Sequence, residues 1–273
     1  MRRLLFSTLL LATTSIAHAD LIAFYPFDDE ANPRQDVSGN NTPLNLNQNS
    51  PVYVVDGGYE GNAFSYSGND NFSLGINFND LGSFTVGGWV FANPGLASGL
   101  YKWFGADNGG FDVVAGLDNR GTGGAGGAPF RFTTFLGTLS PNIMPGTPDY
   151  VGGQWVFMAI TSTGDADSSG TVTLYIDTDA ATHADALQTF SNGASFNGSQ
   201  TTAAVGGIRP DLTNEGWQGR IDNVFVFNEV LSAERITEIR NGGAAAVPEP
   251  STWGALLLGL AFLGIACCRS AKS

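Results

Sequence analysis

Cysteine and histidine are nearly absent from this chain of 273 residues. It has two cysteines, the adjacent Cys267 and Cys268 near the C-terminus, and two histidines, His18 and His183. Residues 20–247 therefore contain no cysteine, which excludes a disulfide framework for them. One histidine without cysteine also argues against zinc, which needs three or four such ligands. Nothing marks a serine as the partner of His183 in a catalytic triad.

Basic residues are scarce as well. The chain has 12 lysines and arginines against 25 aspartates and glutamates, a net charge of −13. Residues 20–247 keep 8 of the basic and 24 of the acidic residues, a net charge of about −16. An acidic protein is repelled by nucleic acid and by anionic membrane surfaces, so we expect neither as a partner. Neutral glycans and calcium are compatible with this charge.

The first 19 residues have the composition of a secretory signal peptide. Arg2 and Arg3 precede an apolar stretch, and Ala17-His18-Ala19 supplies the small residues of a cleavage site. Basic, apolar and small-residue segments in this order predict export, with cleavage between Ala19 and Asp20.

The other end carries a second targeting signal. A small-residue linker over 241–247 is followed by Pro248-Glu249-Pro250, an apolar run over 253–268 and a basic end. This ordered triple resembles the PEP-CTERM sorting signal of Gram-negative bacteria. The resemblance implies a hydrophobic sorting helix within 248–273, held in the inner membrane until an exosortase-type transpeptidase processes it, with its basic end in the cytoplasm. A retained single-pass anchor is the alternative.

Between these ends, apolar residues recur with the period of two that is typical of β-strands. The expected strands include 21–27, 72–78, 84–91, 154–161, 171–177 and 220–228. Polar turn residues, such as those at 36–41, separate them. We therefore expect one all-β domain over 20–240, a size that all-β sandwiches commonly reach.

The strand expected over 220–228 has apolar residues on both faces. Regular alternation puts Ile221 and Phe225 on one face and Asp222 and Val224 on the other. A strand with two partly apolar faces suits a sheet that is covered on both sides.

One short helix is expected after this strand. Ser232 is placed to cap a helix over 233–240, and Ile236 and Ile239 would form its buried edge. Asn241-Gly242 predicts where the helix stops.

These motifs together resemble those of bacterial laminin-G-like domains, which are concanavalin-A-like β-sandwiches. The closing part of the pattern is Gly-x-Ile-Asp-x-Val with an aromatic residue, then Leu-Ser and an isoleucine. It is carried by Gly219, Ile221, Asp222, Val224, Phe225, Leu231, Ser232 and Ile236. The resemblance implies a two-sheet antiparallel jelly-roll sandwich with one short C-terminal helix.

The same sandwich also carries endoglucanases, which place two carboxylates beside the scissile bond. Their motif Glu-x-Asp-x-x-Glu is absent, because no glutamate lies between Glu60 and Glu215. Asp177 and Asp179 are the nearest carboxylate pair on a strand end, and we interpret them as strand end and turn. We therefore expect no catalytic residue, and a divergent polysaccharide-cleaving enzyme is the least favoured alternative.

The laminin-G-like resemblance implies one structural calcium ion between the first strand and the closing strand. Its ligands are expected to be Asp28 and Asp222 with backbone carbonyl oxygens near 58–61, since calcium takes about six to eight oxygen ligands. Asp222 stands among large neighbours, where a buried carboxylate is costly unless it is paired or metal-bound. A hydrogen-bonded aspartate without a metal is the alternative. Residues 165–170 have only the front half of a calcium-loop pattern, and we interpret them as a hairpin loop.

Sugar binding by aromatic platforms needs exposed rings. Trp89 and Trp155 lie in regular strand patterns and are expected in the core. Trp103 and Trp217 lie in less regular contexts, at which a ring can be exposed at a loop end, and they are the candidate ligand-binding residues. Burial in the core is the alternative for both.

The sequence thus predicts an exported, non-catalytic protein of the cell surface or extracellular matrix of a Gram-negative bacterium. The favoured function is binding of extracellular polysaccharide, in a host that the sorting-signal resemblance implies to make exopolysaccharide and often to form biofilms. A structural or protein-binding surface domain is the alternative from another class, because one sandwich fold hosts many functions.

Overall fold

A computed structural model of the chain describes residues 20–46, 49–106, 113–118, 131–135, 152–163, 169–177, 187–195, 202–208 and 215–244, and the fold is given for these residues. Several expectations fall outside them. These are the signal peptide over 1–19, the sorting segment over 248–273, His183, Asp179 and the centre of the loop 165–170.

The described residues form fourteen β-strands, and six of them overlap the six strands named above from alternation. The strands are β1 (Leu21–Tyr25), β2 (Asn45–Leu46), β3 (Val52–Val54), β4 (Ala63–Ser67), β5 (Phe72–Asn77), β6 (Phe84–Ala92), β7 (Leu100–Ala106), β8 (Val113–Asp118), β9 (Arg131–Phe135), β10 (Trp155–Ser162), β11 (Ser169–Ile176), β12 (Gln188–Ser195), β13 (Thr202–Val205) and β14 (Gln218–Phe227). The first strand ends at Tyr25, earlier than expected, because Phe27 leaves the extended conformation with a φ of 63°.

The strands pair antiparallel in two sheets. The large sheet has the order β12-β11-β10-β6-β14-β4-β3, with β1 also paired to β14, and the small sheet has the order β2-β5-β13-β7-β8-β9. One apolar cluster joins side chains of both sheets, such as Val86 and Ile221 of the large sheet with Phe72 and Trp103 of the small one. The fold is therefore an all-β, jelly-roll-like antiparallel sandwich, as expected.

Strand β14 lies in the middle of the large sheet, and its alternation is broken once. Its register with β6 shifts between Asp222 and Phe225, and Asn223 has a left-handed φ of 52°. A β-bulge of this kind adds one residue to a strand. Val224 therefore joins Ile221 in the core, whereas Phe225 lies outside that cluster and faces the ring of Phe157 on the other side of the sheet. The expectation of regular alternation beyond Asn223 is wrong for this reason.

Helix α1 (Ala233–Gly242) follows the closing strand. The Ser232 hydroxyl accepts a hydrogen bond of 3.4 Å from the backbone N–H of Arg235, so this residue caps the helix as expected. Ile236 and Ile239 are buried, which confirms them as the inner edge of the helix.

The helix stops later than expected. It includes Asn241 and Gly242, and it is capped by Gly243, whose φ of 76° is available to glycine without a Cβ clash. Ala244, which follows the helix, is also buried. Within the described part of the chain, no helix is both long and apolar enough to span a membrane.

Candidate functional site

The loop 57–62 covers Asp222 at the β-bulge of strand β14. The Oδ2 atom of Asp222 accepts hydrogen bonds from the backbone N–H of Tyr59 at 2.9 Å and of Glu60 at 3.2 Å. Its Oδ1 atom accepts one from the N–H of Asn223 at 2.7 Å. None of the Asp222 surface is accessible to solvent. The carboxylate is thus held by backbone donors alone.

Asp28 holds the other end of the same loop. Its Oδ1 atom accepts a hydrogen bond of 3.0 Å from the backbone N–H of Asn62, and its carbonyl oxygen accepts one of 3.1 Å from the Asn62 side chain. Unlike Asp222, Asp28 is exposed. The structure therefore brings both expected calcium ligands onto the loop 57–62, which also contains the carbonyl groups expected to assist them.

Two glycines allow oxygen atoms to approach each other in this loop. A Cβ added at Gly58 would meet the carbonyl oxygens of Asn62 and Glu60 and the Oδ2 atom of Asp222, the last at 2.7 Å. A Cβ added at Gly61, which has a φ of +61°, would collide with the Oδ1 atom of Asp28. Oxygen atoms from two carboxylates and two carbonyl groups thus surround a short stretch of backbone that has no side chains of its own.

The electrostatics of this site oppose the charge on Asp222. The pKa of Asp222 is raised from 3.8 to about 8, mainly by burial; the N–H groups of Glu60, Asn223 and Tyr59 lower it, and the negative charge of Asp28 raises it. Among the described residues no group of three or more histidine, cysteine or carboxylate side chains is placed to hold a metal. A cation here would depend on two carboxylates and backbone carbonyls. Without a cation, burial favours the protonated form of Asp222.

Tyr59 attaches the loop to the large sheet. Its ring stacks on Trp89 with the ring centroids 3.4 Å apart and an interplanar angle of 9°. The loop thereby covers the large sheet at Trp89, on the face away from the other sheet. Trp89 is buried, as expected. Any change that moves Tyr59 also changes the surroundings of Trp89.

Trp103 and Trp217 are not exposed at a loop end, and the expectation that they form a sugar platform is corrected accordingly. Both rings have no accessible surface. The indole N–H of Trp103 donates to the Sδ atom of Met158 at 3.0 Å, and that of Trp217 donates to the carbonyl oxygen of Arg220 at 3.2 Å. Both belong to the buried apolar cluster that joins the two sheets.

A different aromatic group is partly exposed. Trp155, which was expected in the core, and Phe91 are half-buried on neighbouring strands, with ring centroids 5.6 Å apart. The guanidinium carbon of Arg220 lies 4.2 Å from the Phe91 centroid and 5.4 Å from the Trp155 centroid. The sequence pattern missed this group because its members come from three distant strands.

Asp177 has a structural role. It is buried at the end of β11, and its Oδ1 atom lies 3.9 Å from the Nη1 atom of Arg240 in helix α1. This agrees with its interpretation as a strand end, and the pair attaches the helix to the large sheet.

Comparisons with known proteins agree with this architecture. A sequence profile of the concanavalin A-like lectin/glucanases superfamily matches residues 66–237, and a profile of the PEP-CTERM protein-sorting motif matches residues 246–270. Among solved structures, domain 4 of AbnA, a GH43 extracellular arabinanase from Geobacillus stearothermophilus in complex with arabinotriose, is similar with a TM-score of 0.53. It is 20% identical, and the match covers 81% of this chain and 98% of that domain.

Toxin domains share the fold as well. The receptor binding domain of botulinum neurotoxin C/D mosaic serotype is 15% identical, with a TM-score of 0.53 over 82% of this chain and 51% of that one. The binding domain of serotype D is also 15% identical, with a TM-score of 0.52 over 82% of this chain and 52% of that one. This chain thus spans about half of each toxin domain. No curated protein matches the sequence.

Proposed function

The chain belongs to the concanavalin A-like lectin/glucanases superfamily and contains a PEP-CTERM sorting motif, and on this basis we propose that it is an exported surface protein that binds polysaccharide without cleaving it. The sorting motif indicates an exported protein of a Gram-negative bacterium that is transiently anchored in the membrane and processed by an exosortase. Delivery to the outer surface or matrix, with the C-terminus in the cytoplasm before processing, belongs to the proposal.

Polysaccharide binding is supported by the fold, by the charge and by one similar domain. The similar domain of the arabinanase was solved with arabinotriose, a short neutral sugar chain. A net charge of −13 for the whole chain disfavours polyanions and leaves neutral sugars as suitable ligands. The same fold carries many functions, so a ligand must be tested directly.

The non-catalytic part of the proposal depends on one observation, the complete burial of Asp222. A glycosidase needs two carboxyl groups that reach the two sides of a glycosidic bond. The two carboxylates that the candidate site brings to one loop differ in this respect, because Asp28 is exposed and Asp222 has no accessible surface. A sugar ring cannot contact both. This pair is therefore suited to holding the loop 57–62 in place.

A structural calcium ion is part of the proposal. The carboxylates of Asp28 and Asp222 and the carbonyl oxygens of Glu60 and Asn62 would hold it, and such hard oxygen ligands are what calcium requires. The buried carboxylate of Asp222, with its raised pKa and without a basic partner in its hydrogen bonds, fits a site that a cation completes. The bound ion would supply positive charge at this position and join the first strand, the loop and β14.

The experiment is a binding assay of the whole purified chain on a panel of neutral and acidic polysaccharides, with calcium and with chelator, while new reducing ends are measured. We expect binding to at least one polysaccharide without new reducing ends. Absence of binding to every polysaccharide would instead favour a structural or protein-binding domain. New reducing ends would establish cleavage and overturn the non-catalytic assignment. A melting temperature that calcium leaves unchanged would overturn the calcium site only.

A further inference from the structure

One row of side chains crosses the outer face of the large sheet and stays partly open to solvent. Trp155 pairs with Phe91, Phe91 with Arg220, Arg220 with Ser65, and Ser65 with Val52. These five residues belong to five neighbouring strands, in the order β10, β6, β14, β4 and β3. The first four are half-buried, and Val52 is 64% exposed.

The strand neighbours of this row point into the core. Val90 and Ala92 flank Phe91 and are buried in the cluster between the sheets, and so are Val156 next to Trp155 and Ile221 next to Arg220. Because side chains alternate along a strand, the row lies on the side of the sheet away from the core. Five strands spaced by about 4.8 Å give a row of roughly 19 Å, which several units of an extended sugar chain can follow.

Arg220 is held in this row by two contacts, which leave most of its N–H groups available. Its guanidinium lies over the Phe91 ring, and its Nη1 atom donates a hydrogen bond of 2.6 Å to the carbonyl oxygen of Gly57. No carboxylate of the described residues forms an ion pair with it, although acidic residues outnumber basic ones about two to one in the chain. A guanidinium has five N–H donors in a fixed plane, so most of them stay available to a ligand.

Uncharged polar groups border the row. One pleat further along the strands lie Asn93 and Ser67, which are exposed, and Gln218, which is half-buried. Gln218 pairs with Ser67, and the backbone N–H of Asn93 donates to the carbonyl oxygen of Gln218 at 2.9 Å. Amide and hydroxyl groups beside an aromatic ring match the alternating apolar faces and hydroxyl groups of a sugar chain.

We propose that this row, the Trp155–Val52 row, is a binding site for a neutral polysaccharide, an inference that rests on the proposed function. Trp155 supplies the ring against which the apolar face of a sugar unit packs. Phe91 positions Arg220, whose free N–H groups donate to sugar hydroxyl oxygens, and the amides of Asn93 and Gln218 bind neighbouring units. The ligand is neutral because Asn93, Ser67 and Gln218 carry no charge and because the acidic surplus of the chain repels polyanions.

The test measures affinity of the whole chain for arabinan and β-glucan, as neutral polymers, and for polygalacturonate, as an acidic one, using titration calorimetry. The variants are Trp155→Ala and Arg220→Gln. Trp155→Phe keeps an aromatic ring, and Arg235→Gln removes an arginine from the exposed side of helix α1. Melting curves of all four check that they fold.

We expect a neutral polymer to bind the parent chain, and each test variant to weaken that binding by about ten-fold or more, as is common for aromatic and arginine anchors. Arg235→Gln should keep the parent affinity, and Trp155→Phe, which retains a ring, should lose less affinity than Trp155→Ala. Binding should also stay nearly constant between about 0.05 and 0.5 M salt, since a neutral ligand has no charge to screen.

The possible failures are distinguishable. If a neutral polymer binds folded Trp155→Ala and Arg220→Gln as tightly as the parent, the row is not the site, while the proposed function stands. If no polymer binds the parent, the proposed function fails together with the site. If only polygalacturonate binds, and salt abolishes its binding, the assignment of a neutral ligand is wrong. A protein ligand that needs Trp155 and Arg220 while no glycan does would likewise overturn the inference.

Discussion

The carboxylate of Asp222 accepts a hydrogen bond of 2.9 Å from the backbone N–H of Tyr59, although 163 residues separate the two in the sequence. The ring of Tyr59 meanwhile stacks on Trp89. One residue thus attaches the loop 57–62 to the large sheet through its backbone and through its side chain. Burial and Asp28 both oppose ionisation of Asp222. The stability of this attachment therefore depends on whether a proton or a cation neutralises the Asp222 carboxylate.

Replacement of Asp222 by asparagine should abolish the stabilisation by calcium. The amide side chain of the variant would lack the negative charge, and calcium selects charged oxygen ligands. A free calcium concentration 100 times its Kd adds about 2.7 kcal/mol to the free energy of unfolding of the parent chain. Melting temperatures with calcium and with chelator measure this difference. Asp29→Asn is the matched control, because Asp29 is exposed next to Asp28 and contacts only its own turn. A calcium response retained by Asp222→Asn and by Asp28→Asn would contradict the site.

Without calcium, the chain should lose stability as the pH rises toward 8. The pKa of Asp222 is raised from 3.8 to about 8 in the folded chain, so the folded state binds this proton more tightly than the unfolded state does. The contribution is fully present below the unfolded pKa and is lost as the pH rises through the folded one. Denaturant unfolding in chelator, between about pH 5 and pH 8, should therefore show a falling stability of the parent relative to Asp222→Asn.

Calcium should reverse this dependence, because the ion competes with the proton for the same carboxylate. The gain in melting temperature on adding calcium should then grow as the pH rises toward 8. A difference between parent and Asp222→Asn that is independent of pH, in chelator, would show that Asp222 does not titrate in this range.

Alternation predicted six of the strands and capping predicted the helix, while the laminin-G-like resemblance implied the two-sheet fold and the approach of Asp28 and Asp222 to the loop 57–62. Alternation and capping are local, so a short window of residues is enough to detect them. The two aspartates lie far apart in sequence, and only the laminin-G-like motifs linked them. The bulge at Asn223 was missed because both faces of β14 are apolar, so that alternation gives no signal of a shift.

The exposure of the tryptophans could not be predicted, because it depends on what lies across the sandwich. Trp217 stands next to glycine and polar residues, yet it has no accessible surface. Trp155 and Phe91 stand in apolar strands, yet nothing in the described part of the chain covers them completely. Only the register that aligns β10, β6 and β14 places these rings beside Arg220.

Replacement of Gly61 by alanine should destabilise the chain more than replacement of Gly82. Both glycines have a positive φ, 61° and 67°, so both variants lose about 1 kcal/mol or more for backbone strain. A Cβ at Gly82 has no atom within 4 Å, whereas one at Gly61 collides with the Oδ1 atom of Asp28. The free energy of unfolding, measured with denaturant, should therefore fall further in Gly61→Ala than in Gly82→Ala, and the difference measures the clash with Asp28. Equal losses in the two variants would mean that Asp28 moves aside without cost.

Trp103→Ala should reduce stability, whereas Trp155→Ala should reduce glycan affinity. Trp103 is fully buried between the sheets and donates its N–H to Met158, so its truncation should cost about 3–5 kcal/mol of unfolding free energy. Trp155 is half-buried on the outer face, where truncation should cost only about 1 kcal/mol. Because Trp103→Ala risks not folding, Trp103→Phe serves as the milder variant, which keeps a ring and loses the N–H. Affinity per folded molecule, measured beside the unfolding curves, should stay at the parent value for Trp103→Phe. If Trp103→Phe lost as much affinity as Trp155→Ala, sugar binding would depend on the interior tryptophan, and the site on the outer face would be contradicted.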